Sequence, residues 1–205
     1  SSMRLNQFTR LVGDRIVLVP YEKHHVPKYH QWMSDPQLLE ATASEPLSLE
    51  EEYAMQESWR KDDDKLTFII LDKQKYEHSE KDEVSSMVGD VNLFIAEGQA
   101  EVEIMIADKE QRKRGFGTEA VQMMLGYALE EYDAEIEFTA KIGQDNESSI
   151  KLFTDNFGFA VESVSEVFRE ISYKLPREKH QRFRDFFREK VRKEKIEEEG
   201  GHPSA

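Results

Sequence analysis

The sequence contains no cysteine. That excludes a disulfide framework, a thiolate nucleophile and a thiolate metal site. Its 205 residues include no apolar run of membrane-spanning length and no visible secretory leader, so the chain reads as cytoplasmic and without a membrane partner. Basic residues are scarce as well. The 28 Lys and Arg face 42 Asp and Glu, a formal charge of −14. An acidic body argues against nucleic acid, whose binding is driven by cationic side chains displacing counterions. From Pro176 to Glu199, nine basic residues meet seven acidic ones, a balance of +2, which leaves −16 on the rest. Such a body draws cationic substrates over distance, although acidity for solubility alone is the commoner cause.

What is present, 38% hydrophobic residues over this length, suits one domain with a buried core. Ser1 and Ser2, ahead of Met3, read as an expression scar; residues 3–175 form the domain. Residues 176–199 read as an amphipathic helical extension, because Phe183, Phe186, Phe187 and Val191 recur at helical spacing. The last residues, 200–205, are expected to be disordered.

Leu11 to Tyr21 reads as a first strand, followed by helices at His24–Met33 and Leu49–Arg60. Ser48 with Glu51 three residues later marks a capping box for the second. Leu66–Leu71 is a buried strand, and the charged, aperiodic Lys73–Ser86 reads as a mobile loop. Met87–Ile95 and Glu101–Ile106 form a hairpin around Glu97-Gly98-Gln99. A helix from Thr118 to about Tyr132, a strand at Ile136–Ile142, a helix from Asn146 and two strands near Phe159–Val164 and Phe168–Leu175 complete a mixed α/β sheet.

One segment speaks to chemistry. The strand Glu101–Ile106 leads into Arg112-Lys-Arg-Gly-Phe-Gly117 and then into a helix. That order places two glycines where backbone N–H groups and a helix N-terminus meet an anion, although a plain tight turn fits Gly115 and Gly117 equally. The P-loop pattern is absent. The dinucleotide fingerprint keeps its third position at Ala120, but the next strand ends in Gly-Gln-Asp-Asn and not in an acidic ribose ligand, so that alternative stands only weakly.

With Asn146-Glu-Ser-Ser-Ile-Lys-Leu-Phe153 and Phe157-Gly-Phe159, the glycine turn resembles the Gcn5-related N-acetyltransferase superfamily. Arg15-Ile-Val-Leu-Val-Pro20 and Thr118-Glu-Ala120 are similar to its branch that acetylates ribosomal-protein N-termini. Segments such as Ala43-Ser-Glu-Pro-Leu47, Met87-Val-Gly-Asp-Val-Asn-Leu-Phe94 and Ala140-Lys-Ile-Gly-Gln144 resemble a eukaryotic group of this superfamily whose named substrate is tubulin. The resemblance implies a single acetyltransferase domain with a mostly antiparallel sheet and flanking helices. It also implies acetyl-CoA as cosubstrate with no metal, and a protein or peptide partner with a free amine, tubulin among the candidates. Met105, Ile106 and Ala107 would hold the pantetheine arm, with backbone groups of Met105 and Ala107 pairing its amides. Arg112, Lys113, Arg114, Gly115, Phe116, Gly117 and Thr118 would hold the pyrophosphate. Asn146, Ser149 and Phe153 would line the arm from the later helix.

Acetyl transfer to an amine also needs a base and a partner for the leaving thiolate. Glu101 and Glu103 share a strand face with Met105, where the neighbouring like charge raises the pKa of Glu103, the preferred base. A solvent-facing pair on a half-exposed strand is the plainer reading of the same residues. Many superfamily members carry a tyrosine donor where this chain has Phe153, which leaves Ser149 or solvent as the acid. The helix before Gly158 is also one residue longer than the usual pattern. Acceptor-side candidates are Trp32, Met33, Glu45, Pro46 and Tyr53; Trp32 and Tyr53 suit a core equally well. His24-His25 carries no surrounding metal-ligand pattern. Two rival readings remain, a small polycationic amine as acceptor and a CoA-binding cytoskeletal adaptor without turnover.

Overall fold

Nine strands form one sheet among residues 5–197, the part of this computed structural model that is described. In chain order they are β1 (Thr9–Val12), β2 (Ile16–Pro20), β3 (Lys65–Asp72), β4 (Met87–Ala96), β5 (Gln99–Ile106), β6 (Glu137–Gly143), β7 (Ala160–Ser165), β8 (Glu170–Lys174) and β9 (Arg192–Lys195). Across the sheet the order is β7-β8-β6-β5-β4-β3-β2-β1-β9. Every neighbouring pair is antiparallel except β5 with β6, so the mixed, mostly antiparallel sheet read from the sequence is present. The expected scar at Ser1–Ser2 and the tail at 200–205 lie outside the described residues.

The helices are α1 (Val26–Trp32), α2 (Pro36–Ala41), α3 (Leu49–Lys61), α4 (Lys73–His78), α5 (Glu83–Ser86), α6 (Phe116–Tyr127), α7 (Glu147–Lys151) and α8 (His180–Lys190). Because strand side chains alternate, the central strands feed two cores. Leu18, Phe68, Ile70, Leu93 and Val102 pack with α6 and α8 on one face. Val19, Tyr21, Ile69, Leu71 and Met105 pack with α1, α2 and α3 on the other. β3 is buried along its whole length, as a strand covered on both faces must be. Each fully buried Leu, Ile or Phe here contributes roughly 2 kcal/mol.

Several elements differ from the sequence reading. The first strand is two, because Gly13 turns the chain and its N–H donates to the Ile16 carbonyl at 2.9 Å. Glu119 on α6 fixes that turn by accepting the Asp14 N–H at 2.6 Å and the Arg15 N–H at 3.0 Å. The stretch Lys73–Ser86 is not a loop but α4 and α5, capped by Asp72 and Asp82 and anchored by buried Tyr76. Helices of six and four residues are too short to show a period. The Ser48–Glu51 capping box is present on α3.

The hairpin turn at Glu97-Gly98 has both residues at positive φ (52° and 79°), the conformation that matches strand twist in a two-residue loop. Phe183 and Phe187 of α8 pack against α6 where Gly126 leaves room; a Cβ there would lie 2.5 Å from Phe187 Cβ. The helix stops at Lys190, short of the expected helical stretch to Glu199, and β9 pairs antiparallel with β1.

Candidate active site

β5 and β6 are parallel partners only from Gln99–Glu137 to Glu101–Thr139. Beyond Glu101, β6 turns to β8 through Gly143 while β5 runs on to Ile106. The two strands therefore open as a wedge whose β5 wall offers unpaired backbone. The β4–β5 register decides which residues supply it. Ala107 donates its N–H to the Val88 carbonyl at 2.9 Å, and Asp90 faces Met105 two residues along. Antiparallel alternation then turns the backbone of Met105 and Ala107 toward β4, and that of Val102, Ile104 and Ile106 toward the wedge. The backbone groups facing the wedge are thus one residue off from those named on the sequence. Arg112 Nε closes this edge by donating to the Ile106 carbonyl at 2.9 Å.

The glycine turn lies at the end of β5. Lys109–Arg114 is a 3-10 turn, Gly115 takes φ 77°, and α6 starts at Phe116, with Gly117 and Thr118 in its first turn. The first N–H groups of a helix lack intrahelical acceptors and carry its positive pole. A Cβ on Gly117 would meet Ile104 and Ile106 at 3.8 Å and Leu152 at 4.0 Å, so this glycine faces the wedge walls. Lys113 is exposed. Arg114 is committed elsewhere: it pairs with Asp72 at 3.1 Å and lies over Phe116 at 4.6 Å.

Asn146 caps α7 by accepting the Ser149 N–H at 3.2 Å. The chain continues as a π turn, Leu152–Asn156, before Gly158 at φ 82°. A π turn holds one more residue than an α turn, which accounts for the extra residue before Gly158. Phe153 is 3% exposed and stands edge-on to Phe157 and Phe159, with ring centres 5.4 and 5.1 Å away. It is a core ring.

On the α1–α3 face the strands carry a row of polar groups. Thr67, Asn92 and Glu103 are in register across β3, β4 and β5, and Ile69, Asp90 and Met105 form the next row. Thr67 Oγ1 donates to Asn92 Oδ1 at 2.7 Å, and Asn92 Nδ2 donates to Asp90 Oδ2 at 3.0 Å. Asp90 is 3% exposed, and burial pushes its carboxyl up against the Asn92 bond and the Lys65 charge. Glu103 has an exposed side where water still screens it. Desolvation by the surrounding protein nevertheless pushes its carboxyl up to about 7, with Glu101 and Asp90 adding to the rise and Lys65 opposing it. Lys65 is 3% exposed, and burial pushes its ammonium down to about 7. Its Nζ has no hydrogen-bond partner and lies 2.8 Å from the Trp59 ring centre and 4.2 Å from that of Phe94. Tyr21 Oη and Glu52 Oε2 are also buried without partners. Charges on Glu52 and Asp90 raise the Tyr21 phenol beyond what burial does.

Of the acceptor-side candidates, Met33 is buried, and Trp32 and Tyr53 pack half-buried on the same core. Glu45 and Pro46 are exposed in the loop between α2 and α3, apart from that core. His24 and His25 converge on Glu83 Oε1, at 2.9 and 2.7 Å. The Glu22 N–H donates to His25 Nδ1, so His25 Nε2 carries the proton and donates to Glu83; its lone pair is not offered to a cation. The polar groups buried on this side of the sheet, Tyr21, Tyr29, Glu52, Lys65, Asp90 and Asn92, were missed on the sequence. A signal existed: Asp90 and Asn92 are two polar residues at strand spacing inside the otherwise apolar Met87–Phe94.

Residues 15–171 match the acetyltransferase (GNAT) domain family. An N-acetyltransferase 9-like protein of Nematostella vectensis is 50% identical over 84% of this chain and 88% of its own length. The alpha/beta-tubulin-N-acetyltransferase 9 of Homo sapiens is 49% identical over 84% of this chain and 86% of its own. Among solved structures, spermidine N-acetyltransferase from Vibrio cholerae, in complex with CoA and spermine, superposes with a TM-score of 0.65 at 18% identity. That match covers 78% of this chain and 93% of the other.

Proposed function

The chain belongs to the acetyltransferase (GNAT) family and is an N-acetyltransferase, and we propose that its acceptor is the terminal α-amine of a protein. Tubulin is the foremost candidate, since a human relative with 49% identity is named for it. Acetyl-CoA is the donor in this reading, supplying an activated thioester to the wedge. The Ile104 backbone and the Ile106 N–H receive the pantetheine arm, the Ile106 carbonyl being held by Arg112, and the first turn of α6 receives the pyrophosphate. Glu103 takes the proton from the ammonium group, leaving a neutral amine to attack the thioester carbonyl. The Ser149 hydroxyl or solvent stabilises the departing thiolate.

The observation that carries the choice of acceptor is the mixed charge of two buried groups on the α1–α3 side of the sheet, Glu52, whose Oε1 pairs with His30 at 3.7 Å, and Lys65. Glu52 Oε2 asks for a donor, whereas Lys65 Nζ asks for an acceptor. A peptide terminus offers both, an ammonium and a carbonyl one residue away. A polyamine offers only cations and would set a second positive charge against Lys65. The test is turnover of acetyl-CoA with Met-initiated tubulin N-terminal peptides against spermidine and spermine. Transfer to the peptide α-amine, located by mass spectrometry, is the expected result; turnover of polyamines alone would contradict it.

A further inference from the structure

A buried ammonium without a hydrogen-bond acceptor is costly, and an apolar side chain would fill the start of β3 more cheaply. Lys65 nevertheless lies between the Trp59 and Phe94 rings, which hold its Nζ on the α1–α3 face of the sheet. The register puts Lys65 opposite Phe94 and Phe94 opposite Glu101, one row from Asn92 and Glu103 and two from Asp90 and Met105. The charged groups facing Lys65 are Asp90 from β4, Glu103 from β5, and Asp62 and Asp64 between α3 and β3. Those facing Glu103 are Glu101 on its own strand, Asp90 on β4 and Lys65 on β3, while the Tyr29 hydroxyl of α1 also feels it. Lys65 is therefore the cation acting on two carboxylates that otherwise repel each other.

We propose that Lys65 is a positioning residue for acetyl transfer, its ring-clamped ammonium favouring the ionised form of Glu103, the form that receives the amine's proton. This rests on the reading of Glu103 as the base. The carboxylate accepts one proton from the acceptor ammonium and passes it to solvent across its exposed side; Lys65 exchanges none in that step. It acts by charge alone, so its removal changes the pH at which Glu103 becomes competent more than it changes donor binding.

The test is the pH profile of kcat/KM for wild type, Lys65→Met and Lys65→Arg, with CoA affinity measured on each. Loss of the charge is expected to move the acid limb of Lys65→Met upward by about one pH unit or more. Lys65→Arg, which keeps the charge, is expected to bring the limb back to or below its wild-type position. A Lys65→Met limb that superimposes on wild type overturns the proposal. Should both variants fail to fold, the Lys65 Cε resonance in intact wild type and in Glu103→Gln carries the test. It is expected to titrate between roughly pH 6 and 9, with a lower midpoint in Glu103→Gln. An unchanged midpoint overturns the coupling. Glu103→Gln turning over at the wild-type rate would remove the base assignment itself. An impaired Glu103→Gln beside an unmoved Lys65→Met limb removes only the role given to Lys65.

Discussion

Gly89 lies directly against the Met105 carbonyl: a Cβ at position 89 would fall 1.9 Å from that oxygen. Gly89 is opposite Ile106, at the end of β5 that walls the wedge. The clash is with backbone, so no rotamer relieves it. Gly89→Ala is expected to cost about 3 kcal/mol of stability and to weaken CoA binding together with it. Thermal unfolding and CoA titration measure both; unchanged values would mean that β4 and β5 part without consequence for the wedge.

Gly117 offers the complementary case. A Cβ there makes only ordinary contacts with Ile104, Ile106 and Leu152. Gly117→Val is therefore expected to leave the melting temperature within a few degrees of wild type while lowering CoA affinity roughly 100-fold, about 2.7 kcal/mol. Retained affinity would place the phosphate cradle elsewhere.

The pH dependence follows from Glu103. Its carboxyl is pushed up to about 7, and a base works only when deprotonated, so kcat/KM should climb with pH through that value and level off above it. Glu103→Gln should remove the limb and lower kcat on the order of 100-fold while CoA affinity stays. An intact acid limb in Glu103→Gln would assign the titration to another group.

Ser149→Ala isolates the thiolate's partner. The Ser149 N–H, and not its hydroxyl, forms the cap with Asn146, so α7 keeps its start when the hydroxyl is removed. Single-turnover acetyl transfer should slow by roughly 10-fold with little change in CoA affinity. An unchanged rate makes solvent the acid.

The sheet and the glycine turn were legible because they rest on local signals. Alternation marks β4 and β5, Gly98 and Gly115 mark turns at positive φ, and Ser48 and Asn146 mark helix starts. Short elements escaped, since α4 and α5 are held by caps and one buried tyrosine and have no periodic face. The first strand was read through Gly13 because its turn is fixed by Glu119, more than a hundred residues away. The site followed the same division. Glu103 could be found from its spacing to Glu101, whereas Lys65 and Asp90 come to face it only when β3 and β4 pair with β5. Which residues of β5 turn their backbone to the wedge depends on register with β4, which composition does not encode.

A crystal structure with a bisubstrate analogue, CoA joined to the α-amine of a Met-initiated tubulin peptide, tests the central claim most directly. The nitrogen of the joined amine should lie within hydrogen-bond reach of the Glu103 carboxylate, directly or through one water. The pantetheine should bond the backbone of Ile104, and the peptide should enter beneath α1 and α3. An amine on the α6 face, or one approached by no carboxylate of β5, would contradict the account.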